Sequence, residues 1–214
     1  MVCIGYGGME AFDIVLYLGQ ALVRLNIPVL IIDLSDTGAM TKAIYHGMDI
    51  DSTDTIINYR GINYIRSIPD YKDFEDYTHG VVFIVFGLKY VDIKSIKLDF
   101  MSIVVDSFPS NIDRVNTLIS KMPLRNIQTR LLIRNITCID DVERVKRNMT
   151  QDYTWSSVNY LYLEVIDIEN AIRCQRLQTI DLRRISRLFK KFIINEINAI
   201  RPDIMPSKIR KRIF

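Results

Sequence analysis

The apolar positions of this chain fall into two alternating periods. Short, nearly unbroken apolar runs at 2–6 (VCIGY), 29–32 (VLII), 81–86 (VVFIVF), 102–105 (SIVV) and 129–134 (TRLLIR) have the length and continuity of strands in a parallel sheet covered on both faces. Between them lie stretches with helical spacing. From 10 to 25, Ala11, Ile14, Val15, Leu18, Leu22 and Leu25 put one apolar face against a sheet, and Asn26 and Pro28 stop the helix. Residues 111–122 form a second helix with Val115, Leu118 and Ile119 inward, 140–148 (DDVERVKRN) a charged covering helix, and 167–174 a short one. A long helix is expected over 181–200, with Asp181 as its N-cap and Ile185, Leu188, Phe189, Phe192, Ile193, Ile197 and Ile200 on its apolar face. Strand-like pieces at 55–58 and 62–66 and an alternating strand at 160–166 (YLYLEVI) complete the set. Residues 35–45 open with turn chemistry and continue as a short helix. The acidic, aromatic segment 70–80 (DYKDFEDYTHG) reads as a solvated helix or loop, or as an interaction surface.

Such alternation predicts an α/β fold: a three-layer sandwich with a mostly parallel central sheet flanked by helices. Residues 2–35 organise it as one strand, helix, strand unit. A right-handed crossover places the Gly7-Gly8 turn and Asp33 on the same sheet edge, where open α/β sheets bind ligands. One α/β domain is expected over 1–202, followed by a basic C-terminal tail, 203–214.

Charge changes this picture at the C-terminus. Residues 182–214 hold ten of the 28 Lys and Arg against only Glu196 and Asp203, a local balance of +8 that leaves −5 for the rest. The basic surface could meet an acidic protein, an anionic membrane or nucleic acid. Arg183, Arg184, Arg187, Lys190 and Lys191 gather on the last long helix. In the tail, Lys208, Arg210, Lys211 and Arg212 interleave with Ile209, Ile213 and Phe214, a short amphipathic ending. Cys3, Cys138 and Cys174 are scattered and odd in number, which fits a reducing cytoplasm. No apolar run is long enough to cross a bilayer, and no basic region precedes the first strand, so a soluble or peripheral protein is expected. His46 and His79 have no metal-ligand spacing with the cysteines, so no metal is assigned. Trp155, beside Tyr153, is expected to be partly buried or to mark a partner surface.

The 2–35 unit resembles the opening of the ParA/MinD group of P-loop ATPases, including the TadZ-like proteins of pilus assembly. In that group a strand runs into K-G-G-x-G-K-T-T, then a helix, then a strand ending in aspartate. Gly7 and Gly8 match the paired glycines and Asp33 the aspartate. Tyr6 stands at the first lysine, Met9 at the variable position, Glu10 at the third glycine, Ala11 at the phosphate-binding lysine, and Phe12 and Asp13 at the hydroxyl pair. A P-loop aims backbone N–H groups, a lysine and a magnesium-bound hydroxyl at phosphates. Ala11 and Phe12 supply neither of the last two, while Glu10 and Asp13 put negative charge at the helix N-terminus. The strand at 81–86 ends in Phe86-Gly87-Leu88, where the family carries its Walker B aspartate. Asn135, after the strand at 129–134, resembles the asparagine that contacts adenine in the family.

The resemblance implies a P-loop NTPase-like fold without catalysis: no catalytic residues, and a vestigial nucleotide site at Gly7, Gly8 and Asp33 that could still hold ATP through backbone groups. It further implies an adaptor or positioning subunit of a larger bacterial assembly, such as a pilus or secretion apparatus, working through protein contacts as a homodimer or with a partner ATPase. Such a protein is cytoplasmic, or peripheral at the inner face of the membrane where the tail inserts; nucleic acid is the weaker partner. The competing reading is an NAD or FAD enzyme on a Rossmann-like sheet. Gly5-Tyr6-Gly7-Gly8 with Asp33 has part of that fingerprint, but Glu10 falls on its third glycine, beside the pyrophosphate.

Overall fold

The computed structural model describes residues 1–44, 56–68, 74, 76–93, 96–124, 127–150 and 153–214. Tyr45, His46, Thr55, Gln151, Asp152 and much of the acidic segment after Asp70 lie outside them.

The first apolar run forms β1 (Val2–Gly8), followed by α1 (Phe12–Arg24) and β2 (Val29–Asp33). After α2 (Ala39–Ile44) come β3 (Ile57–Tyr59), β4 (Ile62–Ile65), β5 (Val81–Gly87) and β6 (Phe100–Val105). Then follow α3 (Pro109–Ile119), β7 (Gln128–Ile136), α4 (Ile139–Asn148), β8 (Ser157–Tyr162), α5 (Val165–Leu177), α6 (Arg187–Ile200) and α7 (Pro206–Ile213). The strands make one sheet in the order β3-β4-β2-β5-β1-β6-β7-β8. All neighbours are parallel except β3 and β4, which form a short antiparallel pair.

Period-two alternation sorts the strand side chains into two cores. In β2, Val29 and Ile31 face one layer and Leu30 and Ile32 the other; in β5, Val81, Phe83 and Val85 oppose Val82, Ile84 and Phe86. Helices α1, α2, α5, α6 and α7 cover the first face, and α3 and α4 the second. The expected three-layer sandwich is therefore present. Its strand order also separates it from the competing dinucleotide reading. In a Rossmann sheet the first two strands are neighbours; here β5 lies between β1 and β2.

Three expected elements differ. The long helix starts at Arg187, with Ser186 as its N-cap accepting from the Phe189 N–H at 3.1 Å. Asp181 instead closes a turn by accepting from the Arg183 N–H and pairs with Arg173. Leu188, placed on the apolar face by spacing, is exposed, and Ile185 is buried ahead of the helix. Val165 and Ile166, expected in the last strand, open α5, because β8 ends at Tyr162.

The C-terminal residues differ most from a free tail. They form α7, which packs Ile209 and Ile213 into the core beside α1 and α6. The Ile213 carbonyl accepts from Arg24 Nη1 at 2.5 Å, and Lys190 lies over the Phe214 ring. The burial of both isoleucines removes two of the three apolar residues that a membrane-inserting tail would use, and the third, Phe214, packs partly buried against the same core. Lys208, Arg210, Lys211 and Arg212 stay exposed. Among the described residues, no helix is long and apolar enough to cross a membrane.

Candidate functional site at the carboxyl edge of the sheet

The topology brings the Gly7-Gly8 bend and Asp33 to one edge, as the crossover required. Gly7 pairs with Gly87 of β5 and with Ile103 of β6, and Asp33 pairs with Val85. Gly8 has φ +104, and a Cβ there would lie 2.2 Å from the Val104 carbonyl oxygen, so only glycine fits. This press against β6 has a further effect: the Met9 N–H donates to that carbonyl at 2.8 Å. The Ala11 N–H donates to Glu10 Oε1 at 3.2 Å. Two N–H groups of the bend are thus spent within the chain.

Asp33 is buried and fully engaged. Its Oδ1 accepts from the Ser35 N–H at 3.0 Å and the Ser35 hydroxyl at 2.6 Å, and its Oδ2 accepts from Thr41 Oγ1 at 3.3 Å. It fixes the loop that leads into α2. That loop is tied to the bend by Thr37, whose hydroxyl donates to Glu10 Oε2 at 2.5 Å.

The strongest feature of this edge joins residues 121 apart in the chain. Arg134, near the carboxyl end of β7, reaches the N-terminus of α1 and grips Asp13 with two hydrogen bonds, Nη1 to Oδ1 at 3.0 Å and Nη2 to Oδ2 at 2.9 Å. Nη1 also donates to the Glu10 carbonyl at 2.6 Å. The Asp13 side chain is only 4% exposed and that of Arg134 19%. Burial disfavours the guanidinium charge, but the carboxylate of Asp13, with help from Glu10 and Asp106, outweighs it and holds the Arg134 pKa above its ordinary value. Composition could reveal Glu10 and Asp13 as negative charges at a helix start. It could not reveal their cation, because Arg134 becomes a neighbour only once β6 and β7 are laid beside β1.

Beside this ion pair opens a cleft of about 320 Å³, bordered by Phe12, Asn135, Tyr162, Glu164, Asp167 and Gln175 among others. Asn135 adopts a left-handed backbone (φ +57) at its wall. Asp167 accepts from the Ser186 N–H at 2.6 Å, and burial raises its pKa, opposed by that hydrogen bond and aided by Glu164 and Asp13. A raised carboxylate pKa favours the folded state at low pH, and that advantage is lost as pH rises through the folded value. Asp167→Asn, which keeps an acceptor for Ser186, should therefore gain stability relative to the parent as pH rises from the ordinary aspartate value through the raised folded value. Urea midpoints across that range check this; a constant difference would refute it.

A second buried charge pair was equally hidden in the sequence. Arg130 of β7 meets Glu196 of α6 at 3.4 Å, and Asn159 donates to Glu196 at 3.2 Å. The pair fixes α6 against the sheet. Trp155 and Tyr153 pack partly buried against the second core. Among the described residues, no cluster of His, Cys, Asp and Glu is placed to hold a metal ion.

No protein-family model matches the sequence, and comparison with curated proteins finds no match. Solved structures do match. A putative plasmid partition protein from Borrelia burgdorferi B31 bound to AMPPNP superposes with a TM-score of 0.62 at 14% identity, over 95% of this chain and 99% of that one. The fold is that of the ParA and MinD ATPases. A ParA family ATPase from Chlorobium tepidum TLS gives a TM-score of 0.57 at 12% identity, over 90% of this chain and 96% of that one. The MinC:MinD cell division complex from Aquifex aeolicus gives 0.57 at 14%, over 84% and 87%.

Proposed function

We propose that this chain is a ParA/MinD-fold protein that does not hydrolyse ATP and serves as an adaptor or positioning subunit of a larger bacterial assembly, such as a pilus or secretion apparatus, through protein contacts. The observation that carries the reading is the Arg134–Asp13 grip at the mouth of α1. A triphosphate with magnesium needs a positive helix mouth, free N–H groups, an ammonium and a hydroxyl. Here the mouth carries the buried carboxylate of Asp13, with Arg134 already neutralised by it and anchored on the Glu10 carbonyl. The Met9 and Ala11 N–H groups have internal acceptors. Ala11 and Phe12 stand where the cation and hydroxyl belong, and Phe86-Gly87 ends the strand beside β1 without a carboxylate. The residues present do not fit a magnesium-bound triphosphate, and no phosphoryl-transfer step is derived for them.

The retained part of the fold is its rigid edge and its surfaces. The MinD of the Aquifex complex is held with a protein partner, MinC; a protein partner is the corresponding proposal here. The exposed cations of α6 and α7 suit an acidic surface on that partner.

Purified protein with Mg-ATP should show phosphate release at background and no heat of binding at micromolar nucleotide. Turnover well above background that disappears in Asp33→Ala would overturn the noncatalytic reading. Pull-down from native cells with the full chain should recover components of one assembly.

A further inference from the structure

A row of polar residues crosses the first core beneath α6. Tyr6 of β1, Ser102 of β6 and Arg130 of β7 are direct partners in the sheet register, and all three are buried. Asn159 of β8 and Glu196 of α6 complete the row.

Two members of the row are short of partners. The Tyr6 ring packs against Phe83, with centroids 6.1 Å apart, and its hydroxyl is buried with no hydrogen-bond partner in the protein. Burial pushes the pKa of that hydroxyl up, with Glu196 adding to the push and Arg130 and Ser102 opposing it, so the group stays a neutral donor. Glu196 has the complementary need. A carboxylate offers about four acceptor sites, and among the described residues the bonds it receives are long ones, from Arg130 Nη1 at 3.4 Å and Asn159 Nδ2 at 3.2 Å. Burial raises its pKa, opposed by Arg130. Beside both groups lies a cavity of about 10 Å³, lined also by Ser102, Arg130 and Phe192. That is about the space one water molecule needs.

We propose that this cavity is the binding site of a single structural water, which accepts from the Tyr6 hydroxyl and donates to the Glu196 carboxylate and to Ser102 Oγ. Three bonds are the usual complement of a buried water. The same groups restrict the ligand: the space is too small for an organic molecule, and the Arg130 guanidinium on its wall repels a cation. Bound there, the water joins the strand that enters the Gly7-Gly8 bend to α6, whose outer side carries Arg187 and Lys191. Bend and basic face are thereby held in one frame, whether or not the bend binds nucleotide.

A high-resolution crystal structure of the full chain should show an ordered water within about 3 Å of Tyr6 Oη and of the Glu196 carboxylate. Tyr6→Phe keeps the ring against Phe83 and removes only the hydroxyl. It should lower the urea midpoint and raise the unfolded fraction about fivefold at fixed urea, the effect of taking one bond from a satisfied network. The sign is diagnostic, because a hydroxyl buried dry is relieved by the same change and the midpoint then holds or rises. A cavity without water density, or a Tyr6 hydroxyl bonded directly to Ser102 in its place, overturns the proposal. So does a Tyr6→Phe midpoint equal to or above that of the parent.

Discussion

Replacing Arg134 with alanine should destabilise the protein by about 3–5 kcal/mol, the usual cost of leaving one member of a buried ion pair without its mate. The carboxylate left behind, Asp13, is almost wholly buried, and the Glu10 carbonyl loses its donor in the same step. Lysine at 134 should rescue only part of the loss, because an ammonium cannot make the two parallel bonds of the guanidinium. Asp13→Asn with Arg134→Met should recover more than Arg134→Ala does, since it leaves no uncompensated charge. Urea unfolding of the single and double variants gives the coupling free energy directly. A loss under about 1 kcal/mol for Arg134→Ala would mean that the grip at the helix mouth is incidental.

The second large effect concerns the C-terminus. Ile209 and Ile213 are 0% and 1% exposed. Truncating a buried isoleucine to alanine costs about 2–5 kcal/mol, so the double variant should lose about 5 kcal/mol or more. That approaches the whole stability of an ordinary domain, and the thermal transition should fall sharply or lose its cooperativity. A membrane-seeking tail makes the opposite prediction: its isoleucines would be idle in solution, stability would hold, and liposome flotation would vanish. Melting and flotation on the same variants separate the two outcomes. Lys208, Arg210, Lys211 and Arg212 remain outward in either case, and alanine at all four should leave melting nearly unchanged.

The layout of the sandwich was legible because parallel strands announce themselves as continuous apolar runs, and β1, β2, β5, β6 and β7 all do. Places where two physical signals compete were less legible. Asp181 and Ser186 are both competent N-caps, and the choice fell to Ser186 because Asp181 is drawn to Arg173 across the chain. Val165 and Ile166 have the β-branched character of a strand, yet the sheet ends before them and they start a helix. The tail shows Ile209 and Ile213 one helical turn apart, a spacing that suits a membrane surface and a protein groove equally. Only the position of α1 and α6 decides between them. At the candidate site, Gly7, Gly8 and Asp33 were visible from the strand-end pattern, but their occupations were not. Met9 bonding to Val104 and Arg134 bonding to Asp13 depend on strands that are distant in sequence and adjacent only in the folded sheet.

The placement of β5 between β1 and β2 carries a kinetic consequence. β1 has no hydrogen-bonding mate until residues 81–87 exist, and β2, which can pair with β4 earlier, lacks its inner neighbour until then. During synthesis the ribosome must therefore release more than a third of the polypeptide before the centre of the sheet can close. Until then β1 and the inner edge of β2 stand open to whatever else is nearby, which makes the emerging N-terminal fragment a natural client for chaperones.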